Sequence, residues 1–289
     1  MVNLNKIKKV LNYRYIKENY HRFHKIFYRI FIINNLLKAQ YLLYIIGVYK
    51  FQNFRNLHSL KNKHNGETIY IIGNGPSLKD INFDWFSDKI TLASNKIFLS
   101  YDNTSWRPSY YFVEDDLVIK QNIAEIKKLD PSNMFLASAC LAETKRIPKA
   151  TYFILKQNHF YPNLPNFSNN ISRSVFWGSS VTYSQLQFAA YMGASKVVML
   201  GIDFSFHIPK KSKDSSKEIM SEGEVNHFHK NYRKPGEKWN VPNLDYQILS
   251  FKSAKNYYEK IGLELVNGTK NTKLDVIKKE EHSIESDFR

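Results

Sequence analysis

The alternation of apolar and polar positions predicts strands and helices in turn from residue 67 onward. The predicted strands are Thr68–Gly73, Ile90–Asn95, Tyr110–Glu114, Met134–Ala137, Tyr152–Leu155, Lys196–Asp203 and Leu263–Val266. Helical spacing predicts helices over Asn122–Leu129, Ser180–Ala194 and Tyr246–Ile261. The run Lys196–Asp203 is apolar almost throughout, as expected in the middle of a parallel sheet. We therefore predict an α/β fold with a Rossmann-like, doubly wound, mostly parallel sheet.

Residues 1–64 carry a different pattern. Apolar residues recur at roughly helical spacing from Ile26 to Ile46, with basic residues among them. The longest uncharged run, Ala39–Tyr49, is too short to cross a bilayer, which needs about 20 apolar residues. Such a helix is expected either to lie on an anionic membrane surface or to pack on the core or on a second subunit of a homo-oligomer. We predict a basic amphipathic helical extension (1–64) and a nucleotide-sugar-binding domain (65–289).

Charge is concentrated in the extension. The formal net charge of the chain is +16, and residues 1–64 hold 13 Lys and Arg against one acid. The remaining 225 residues have a net charge of only +4, so nucleic-acid binding by the core is not indicated. Cys140 is the only cysteine, which excludes an intramolecular disulfide, and no secretory leader is recognisable. We expect a cytoplasmic protein, with the extension at the inner face of the membrane.

The first candidate site is Gly73-Asn74-Gly75-Pro76-Ser77, directly after the first core strand. Glycines at the carboxyl end of a strand let the backbone approach a ligand, and N–H groups exposed there bind phosphate. The segment is not a Walker loop, and Leu78 replaces the third glycine of the dinucleotide fingerprint. An ordinary tight turn is the alternative. The position after the first strand of a parallel sheet favours a ligand site.

Three further segments are expected at the same edge of the sheet. Gly178-Ser179-Ser180 enters a helix whose N-terminus would bind an anion, with plain capping by Ser180 as the alternative. Gly201-Ile202-Asp203 ends the apolar strand, where open α/β sheets bind ligands; a turn aspartate is the alternative. Glu114-Asp115-Asp116 follows another strand, where these acids would face the crevice, bind Mg²⁺ or be solvated.

The polar segment 206–239 has no clear periodicity and predicts a lid. It contains His227 and His229, and histidine acts as a general base near neutral pH. Solvent-exposed loop histidines are the alternative. No cysteine or acidic cluster accompanies them at ligand spacing, so we expect no metal site.

Several segments together resemble a known bacterial family. They are GNGPSLKDI, ASNKIF, YYFVEDDLVIKQNI, GSSVTYSQLQFAAYMGASKVVMLGIDFSF, NHFH and GEKWNVPNLD. The resemblance, over about residues 68–274, is to proteins with the domain named after 6-hydroxymethylpterin diphosphokinase. That domain is similar to family 42 sialyltransferases and to motility-associated flagellar glycosyltransferases. The resemblance implies a GT-A-like sialyltransferase fold. It also implies that an acidic sugar is transferred from a CMP donor to a glycan, with inversion and without a metal, in lipopolysaccharide or capsule synthesis.

The resemblance also implies roles for individual residues. Asn74, Gly75 and Ser77 would contact the phosphate and ribose of the donor. Asn95 would contact the nucleotide, and Asp203 would lie near the cytidine. Ser179 or Ser180 would meet the phosphate and the sugar carboxylate. No cofactor other than the CMP-sugar is implied.

The chain departs from the sialyltransferase pattern at three places. Ser205 stands where those enzymes have a tyrosine, and Glu114 or Asp115 where they have an asparagine. Their catalytic histidine falls near Asn240, so we nominate His229, and His227 second, by proximity of segment alone. These departures concern the donor sugar and the base more than the fold.

Two other functions compete with sugar transfer. The name of the domain indicates an ATP-dependent pyrophosphokinase, whose Mg²⁺ would need Glu114, Asp115, Asp116 and Asp203. A non-enzymatic basic adaptor for membranes or nucleic acid is the third reading, and it relies on the charge of residues 1–64.

Overall fold

A computed structural model of the protein describes residues 30–49, 51–143, 146–157, 162–207 and 218–280. The strands of these residues are β1 (Thr68–Ile72), β2 (Ile90–Ser94), β3 (Tyr110–Val113), β4 (Met134–Ala137), β5 (Thr151–Phe153), β6 (Leu155–Lys156), β7 (Val175–Phe176), β8 (Lys196–Leu200), β9 (Glu218–Met220), β10 (Lys238–Asn240), β11 (Glu264–Asn267) and β12 (Lys278–Lys279). Eight of them form one sheet in the order β12-β11-β8-β1-β2-β3-β4-β5, with all neighbours parallel. This confirms the predicted parallel α/β sheet.

Helices flank the sheet. Residues 30–45 are helical (α1), and they are followed by α2 (Gln52–His58), α3 (Asp116–Ile126), α4 (Cys140–Glu143), α5 (Val181–Tyr191) and α6 (Leu244–Lys260). Short 3₁₀ helices span Pro76–Asp80, Phe83–Phe86 and Asn95–Ser100. The helix predicted over Asn122–Leu129 begins six residues earlier, because Asp115 caps it by accepting from the backbone N–H groups of Leu117 and Val118 at 2.8 and 3.3 Å. Within the described ranges no helix combines the length and apolar character needed to cross a bilayer.

The direction of strand order reverses at β1. The chain runs outward from β1 through β2, β3, β4 and β5 on one side, and β8, β11 and β12 lie on the other. Ile71 in the middle of β1 pairs with Leu92 of β2 and Met199 of β8. Open α/β sheets bind ligands where such a reversal parts the loops at the carboxyl ends of two neighbouring strands. In this fold that position lies between the segments after β1 and β8.

Strands buried on both faces explain the continuous apolar runs in the sequence. Phe188 of α5 packs edge-on against Phe112, Phe135 and Phe153, at 4.9, 5.3 and 5.4 Å between ring centroids. These three rings lie on β3, β4 and β5, so one helix covers one face of that half of the sheet. The N-terminus of α5 is thereby fixed relative to the sheet.

The predicted division at residue 64 does not coincide with a boundary in packing. Asn53 of α2 donates to the carbonyl of Tyr152 at 2.8 Å and accepts from its N–H at 2.7 Å, which completes the edge strand β5. Phe54 and Leu57 are fully buried in the core. Residues 51–66 therefore pack with the α/β core, whereas residues 1–29 of the predicted extension lie outside the described residues.

Candidate nucleotide-sugar site

The glycine segment after β1 and the aspartate after β8 lie together. The N–H of Gly75 donates to the carbonyl of Gly201 at 2.9 Å. Ser77 donates to both carboxylate oxygens of Asp203, from its N–H at 3.0 Å and from Oγ at 2.8 Å. A Cβ at Gly75 would lie 1.8 Å from Asp203 Oδ2, so only glycine fits. Pro76 takes the first position of a 3₁₀ helix, where its missing N–H needs no acceptor.

The carboxylate of Asp203 thus orders the loop. Burial raises the pKa of Asp203, and the two hydrogen bonds from Ser77 act in the opposite direction. The side chain is only partly buried. Its contact with cytidine stays a prediction.

Two asparagine amides end the neighbouring strands β1 and β2. Asn74 donates through Nδ2 to the carbonyl of Ser94 at 3.2 Å, while its Oδ1 is buried without a partner. Asn95 Oδ1 is also buried without a partner. The hydroxyl of Tyr111 donates to the Asn95 carbonyl at 2.6 Å and holds that residue in place. Both amide oxygens thus lie at the strand ends without a partner in the described residues.

The acids after β3 have separate partners. Ser184 of α5 donates to the buried carboxylate of Glu114 at 2.5 Å, and burial raises the pKa of Glu114 to about 7. Asp115 caps α3 and accepts from Asn240 Nδ2 at 3.2 Å. Burial raises the pKa of Asp116 to about 6, with the neighbouring Asp115 charge contributing. Across the described residues no group of three or more His, Cys, Asp and Glu side chains is arranged to hold a metal ion.

The segment Gly178–Ser180 forms the predicted turn into α5. Ser180 caps the helix by accepting from the N–H of Thr182 at 3.3 Å, so the capping alternative describes this residue. Ser179 has φ +62°, in the left-handed region, and its carbonyl accepts from Gln247 of α6 at 2.8 Å. The helix N-terminus remains suited to an anion through its dipole.

Three of the six non-glycine residues with positive φ among the described residues lie at this edge of the sheet. Asn95, Ser179 and Phe204 all have positive φ, at +56°, +62° and +54°. This conformation costs a non-glycine residue about 1 kcal/mol or more and persists only where the surroundings impose it. Ser205, predicted to contact the donor, is exposed, and no hydrogen bond among the described residues involves it.

The predicted lid is ordered over residues 218–240, which lie across the ends of the strands. β9 and β10 form an antiparallel pair. Between them the N–H of Phe228 donates to the carbonyl of Asn74 at 3.0 Å. Lys96 Nζ lies 2.9 Å from a carboxylate oxygen of Glu237, and Gln121 of α3 donates to the carbonyl of residue 238 at 2.9 Å. Residues 208–217 of the segment lie outside the described residues.

The two candidate histidines have different environments. His227 stacks on Tyr232 with 3.8 Å between centroids, and its Nδ1 is buried without a partner. Burial, aided by Arg233 and Lys96, holds the pKa of His227 well below its usual range, so the ring is neutral at pH 7. Nδ1 of His229 accepts from the N–H of Asn231 at 3.1 Å, which leaves the proton of the neutral ring on Nε2.

Nε2 of His229 is therefore a donor in this conformation. The geometry favours His227 over His229 as a base, although the sequence put them in the opposite order, and the base stays a prediction. Both rings line a cavity of about 580 Å³ together with Lys79 and Phe228.

A family model for 6-hydroxymethylpterin diphosphokinase MptE-like proteins matches residues 45–209, which is more than half of the chain. This chain belongs to the MptE-like family. The match confirms the resemblance seen in the sequence segments. It includes the strands from β1 to β8 and begins before residue 64.

Two solved structures are similar to this MptE-like protein. The MAf glycosyltransferase from Magnetospirillum magneticum AMB-1 is 13% identical, with a TM-score of 0.47 over 79% of this chain and 38% of its own. The sialyltransferase CstII from Campylobacter jejuni, solved with the substrate analogue CMP-3FNeuAc, is 13% identical, with a TM-score of 0.39 over 74% of this chain and 86% of its own. The chain thus spans well under half of the Magnetospirillum protein. No curated protein is significantly similar to it.

Four further residues of the MptE-like site were missed in the sequence. Lys96 is buried beside Tyr232, and Arg233 lies flat on Trp239, 3.7 Å from guanidinium carbon to ring centroid. Lysine and arginine in polar segments are ordinarily surface residues. Two aromatic residues in this otherwise polar stretch, Tyr232 and Trp239, could have indicated that it packs on the core, because such large rings are seldom left in solvent.

Buried polar atoms without partners gather at this site. Five of the nine such atoms among the described residues belong to it: Asn74 Oδ1, Asn95 Oδ1, His227 Nδ1, Arg233 Nη1 and Trp239 Nε1. Proteins pair the large majority of their buried polar groups, so each exception needs a cause. A polar ligand between the strand ends and residues 218–240 would be such a cause.

Proposed function

We propose that this protein is a glycosyltransferase that moves an acidic sugar from a CMP donor to a hydroxyl of a cell-surface glycan, in an inverting, metal-independent reaction. The observation that carries the proposal is the group of buried, unpaired polar atoms beside the glycine segment at the strand-order reversal. A nucleotide-sugar is rich in the hydrogen-bonding groups these atoms lack. We propose CMP as the nucleotide of the donor because the sequence segments resemble those of sialyltransferases.

In this proposal the two sides of the crevice hold different parts of the donor. The amides of Asn74 and Asn95 bind the nucleotide. Ser179 and the N-terminus of α5 bind the phosphate, where the helix dipole stabilises the negative charge of the departing CMP. The loop that Asp203 orders supports the cytidine side.

His227 is the proposed base. It is neutral at pH 7 because of its lowered pKa and accepts the proton of the attacking glycan hydroxyl, which contributes roughly 10²–10⁴-fold in rate. Residues 218–240 cover the strand ends and keep water from the activated sugar. The acceptor sugar would enter through the cavity that His227 lines.

The alternative is the pyrophosphokinase that the family name describes. Such enzymes hold Mg²⁺ between acidic side chains and phosphates. Glu114, Asp115 and Asp203 instead face different protein donors, namely Ser184, Asn240 and Ser77. This arrangement favours sugar transfer, and the alternative is tested in the same experiment.

The test is a thermal-shift screen of CMP, UDP, GDP and ADP, followed by assay of CMP release from CMP-sugars with and without EDTA. A ligand at a hundred times its dissociation constant stabilises the folded state by about 2.7 kcal/mol. We expect CMP alone to do so, and we expect CMP release to persist in EDTA. Selective stabilisation by ADP, with activity abolished by EDTA, would establish the pyrophosphokinase instead.

We also propose that residues 30–49 face an anionic membrane, which would carry the acceptor. One side of α1 packs on the core, where Leu37 is buried and Tyr41 lies 5.5 Å from Phe54 between ring centroids. The other side and the following turn expose large apolar side chains: Phe31, Ile32, Leu36, Leu42, Leu43, Ile45, Ile46, Val48 and Tyr49. A patch of this kind marks an interaction surface.

The positive charge of residues 1–29, which precede α1, favours an anionic membrane as the partner. Residues 1–29 contain eight Lys and Arg against one acid, which complements anionic lipid headgroups. We expect the full chain to sediment with vesicles containing phosphatidylglycerol and to lose this binding in Leu42→Glu/Ile46→Glu. Equal binding to purely zwitterionic vesicles, or a dimer that the double substitution dissociates, would refute the membrane surface.

A further inference from the structure

The guanidinium of Arg233 is partly buried, and one of its nitrogens has no acceptor. Its Cζ lies 3.7 Å from the centroid of the Trp239 ring, and its Nη1 is buried without a hydrogen-bond partner. Among the described residues no ion pair or hydrogen bond involves this guanidinium, and the charges of Glu224, Asp115 and Glu237 act on it only at longer range. Buried charged groups in proteins are normally paired and hydrogen-bonded. This group is therefore prepared for a partner that the chain itself does not provide.

A second unpaired nitrogen lies beside it. His227 stacks on Tyr232, the residue before Arg233, and its Nδ1 is also buried without a partner. Lys96 lies 5.7 Å from the Tyr232 ring on another side, but Glu237 neutralises its charge at 2.9 Å. Arg233 and Lys96 thus bring two positive charges beside Tyr232. Glu237 pairs with Lys96, whereas Glu224 acts on Arg233 without forming an ion pair with it.

This group adjoins the strand ends where the donor is proposed to bind. Tyr232 lies near Asn95 and Lys96, whose polar groups act on the pKa of its hydroxyl. Phe228, between the two histidines, donates to the Asn74 carbonyl at 3.0 Å. An anion between Arg233 and the strand ends would therefore belong to the same ligand as the nucleotide.

We propose that Arg233 and His227 bind an oxyanion of the substrate, a carboxylate or a phosphate. The guanidinium fork matches two oxygens of such a group, and stacking on Trp239 fixes its plane before the ligand arrives. With Nδ1–H of His227 donating to the same anion, Nε2 is left unprotonated, as the base of the reaction requires. The identity of the ligand rests on the proposed function, in which the two sources are the sugar carboxylate and the CMP phosphate.

The test measures binding of inorganic phosphate, CMP and CMP-N-acetylneuraminic acid to the wild type, Arg233→Gln and Arg233→Lys. Arg107→Gln is the matched control, because Arg107 also stacks on an aromatic ring, at 3.9 Å from Tyr101, but is exposed and donates to two backbone carbonyls. We expect Arg233→Gln to weaken binding about 10- to 100-fold, Arg233→Lys to recover part of it and Arg107→Gln to change nothing.

The three ligands separate the sources of the anion. A loss confined to CMP-N-acetylneuraminic acid assigns the site to the sugar carboxylate, and an equal loss with CMP assigns it to the nucleotide phosphate. Unchanged binding of all ligands by Arg233→Gln overturns the proposal. A third outcome separates the two proposals: the wild type binds neither nucleotide, but phosphate raises its melting temperature and not that of Arg233→Gln. This outcome would support the oxyanion site and refute the CMP donor. Should Arg233→Gln melt early without ligand, His227→Gln provides the second variant for the same comparison.

Discussion

Replacing Glu114 with glutamine tests whether the candidate site contains a carboxylate that is costly to ionise. Glu114 is buried, accepts a hydrogen bond from Ser184 and has its pKa raised from 4.5 to about 7, chiefly by burial. In the unfolded chain the same group ionises near 4.5. Between these two values the folded protein holds a proton that the unfolded chain has lost. Stability must therefore fall as the pH rises through this window.

The size of the effect follows from the shift. One pKa unit corresponds to 1.36 kcal/mol, so complete ionisation of Glu114 costs the folded state about 3 kcal/mol, of which about 2 kcal/mol falls between pH 5 and pH 8. Glutamine copies the protonated form and still accepts from Ser184. Glu114→Gln is therefore expected to match the wild type near pH 5 and to exceed its melting temperature by roughly 4 °C at pH 8.

The assay is urea and thermal unfolding followed by circular dichroism from pH 5 to pH 8.5. Asp116, whose pKa is raised to about 6, also titrates in this range, but the difference between the two proteins isolates Glu114. Glu125→Gln is the control, since Glu125 lies exposed on α3 and pairs with Lys128 at 2.9 Å. Parallel pH profiles for Glu114→Gln and the wild type would refute the reasoning.

Three further substitutions test the loop and the base. Ser77→Ala removes the hydroxyl that donates to Asp203, so we expect a loss of about 1 kcal/mol in urea unfolding and weaker CMP binding by calorimetry; unchanged CMP affinity would detach this loop from the donor. Gly75→Ala brings a Cβ to 1.8 Å from Asp203 Oδ2, so CMP binding should be lost and the melting temperature lowered; a variant that binds normally would contradict the geometry. His227→Gln should reduce sugar transfer roughly 10²–10⁴-fold, and His229→Gln should leave it nearly unchanged, in single-turnover kinetics; the reverse order would restore His229 as the base.

The sequence was sufficient for most of the sheet. β1, β2, β3 and β4 lie within one residue of the predicted runs, because strands buried on both faces must be apolar throughout. The start of α3 was placed too late, since Asp115 was read as a candidate ligand and not as the cap it forms. β12 escaped prediction because its two residues, Lys278 and Lys279, are exposed and carry no apolar signal.

The site was predictable only in part. The segments after β1 and β8 were predicted because glycines directly follow each strand. The structure brings Ser77 and Asp203 of these segments together. The pairing of Lys96 with Glu237 spans 141 residues, and no local pattern reports a contact of that range. The same holds for Asn53, which completes an edge strand 99 residues away and so joins the predicted extension to the core.

The site departs from the rest of the core in a way that separates a functional role from a structural one. A buried carboxylate, an unpaired guanidinium and three left-handed non-glycine residues all lie along one edge of the sheet, and each of them costs stability. A residue kept for the fold stabilises it, so its replacement lowers the unfolding free energy. Replacing a residue kept for a ligand raises the unfolding free energy of the unliganded protein or leaves it unchanged, because that residue lowers stability until the ligand binds. Glu114→Gln and Arg233→Gln should therefore leave the unliganded protein as stable as the wild type or more so, and Arg233→Gln should also weaken ligand binding. Asn53→Ala, which breaks two backbone pairings of β5, should destabilise the protein and leave ligand affinity alone. If both groups of substitutions destabilised the unliganded protein alike, the edge would be ordinary core and the site would have to be sought elsewhere.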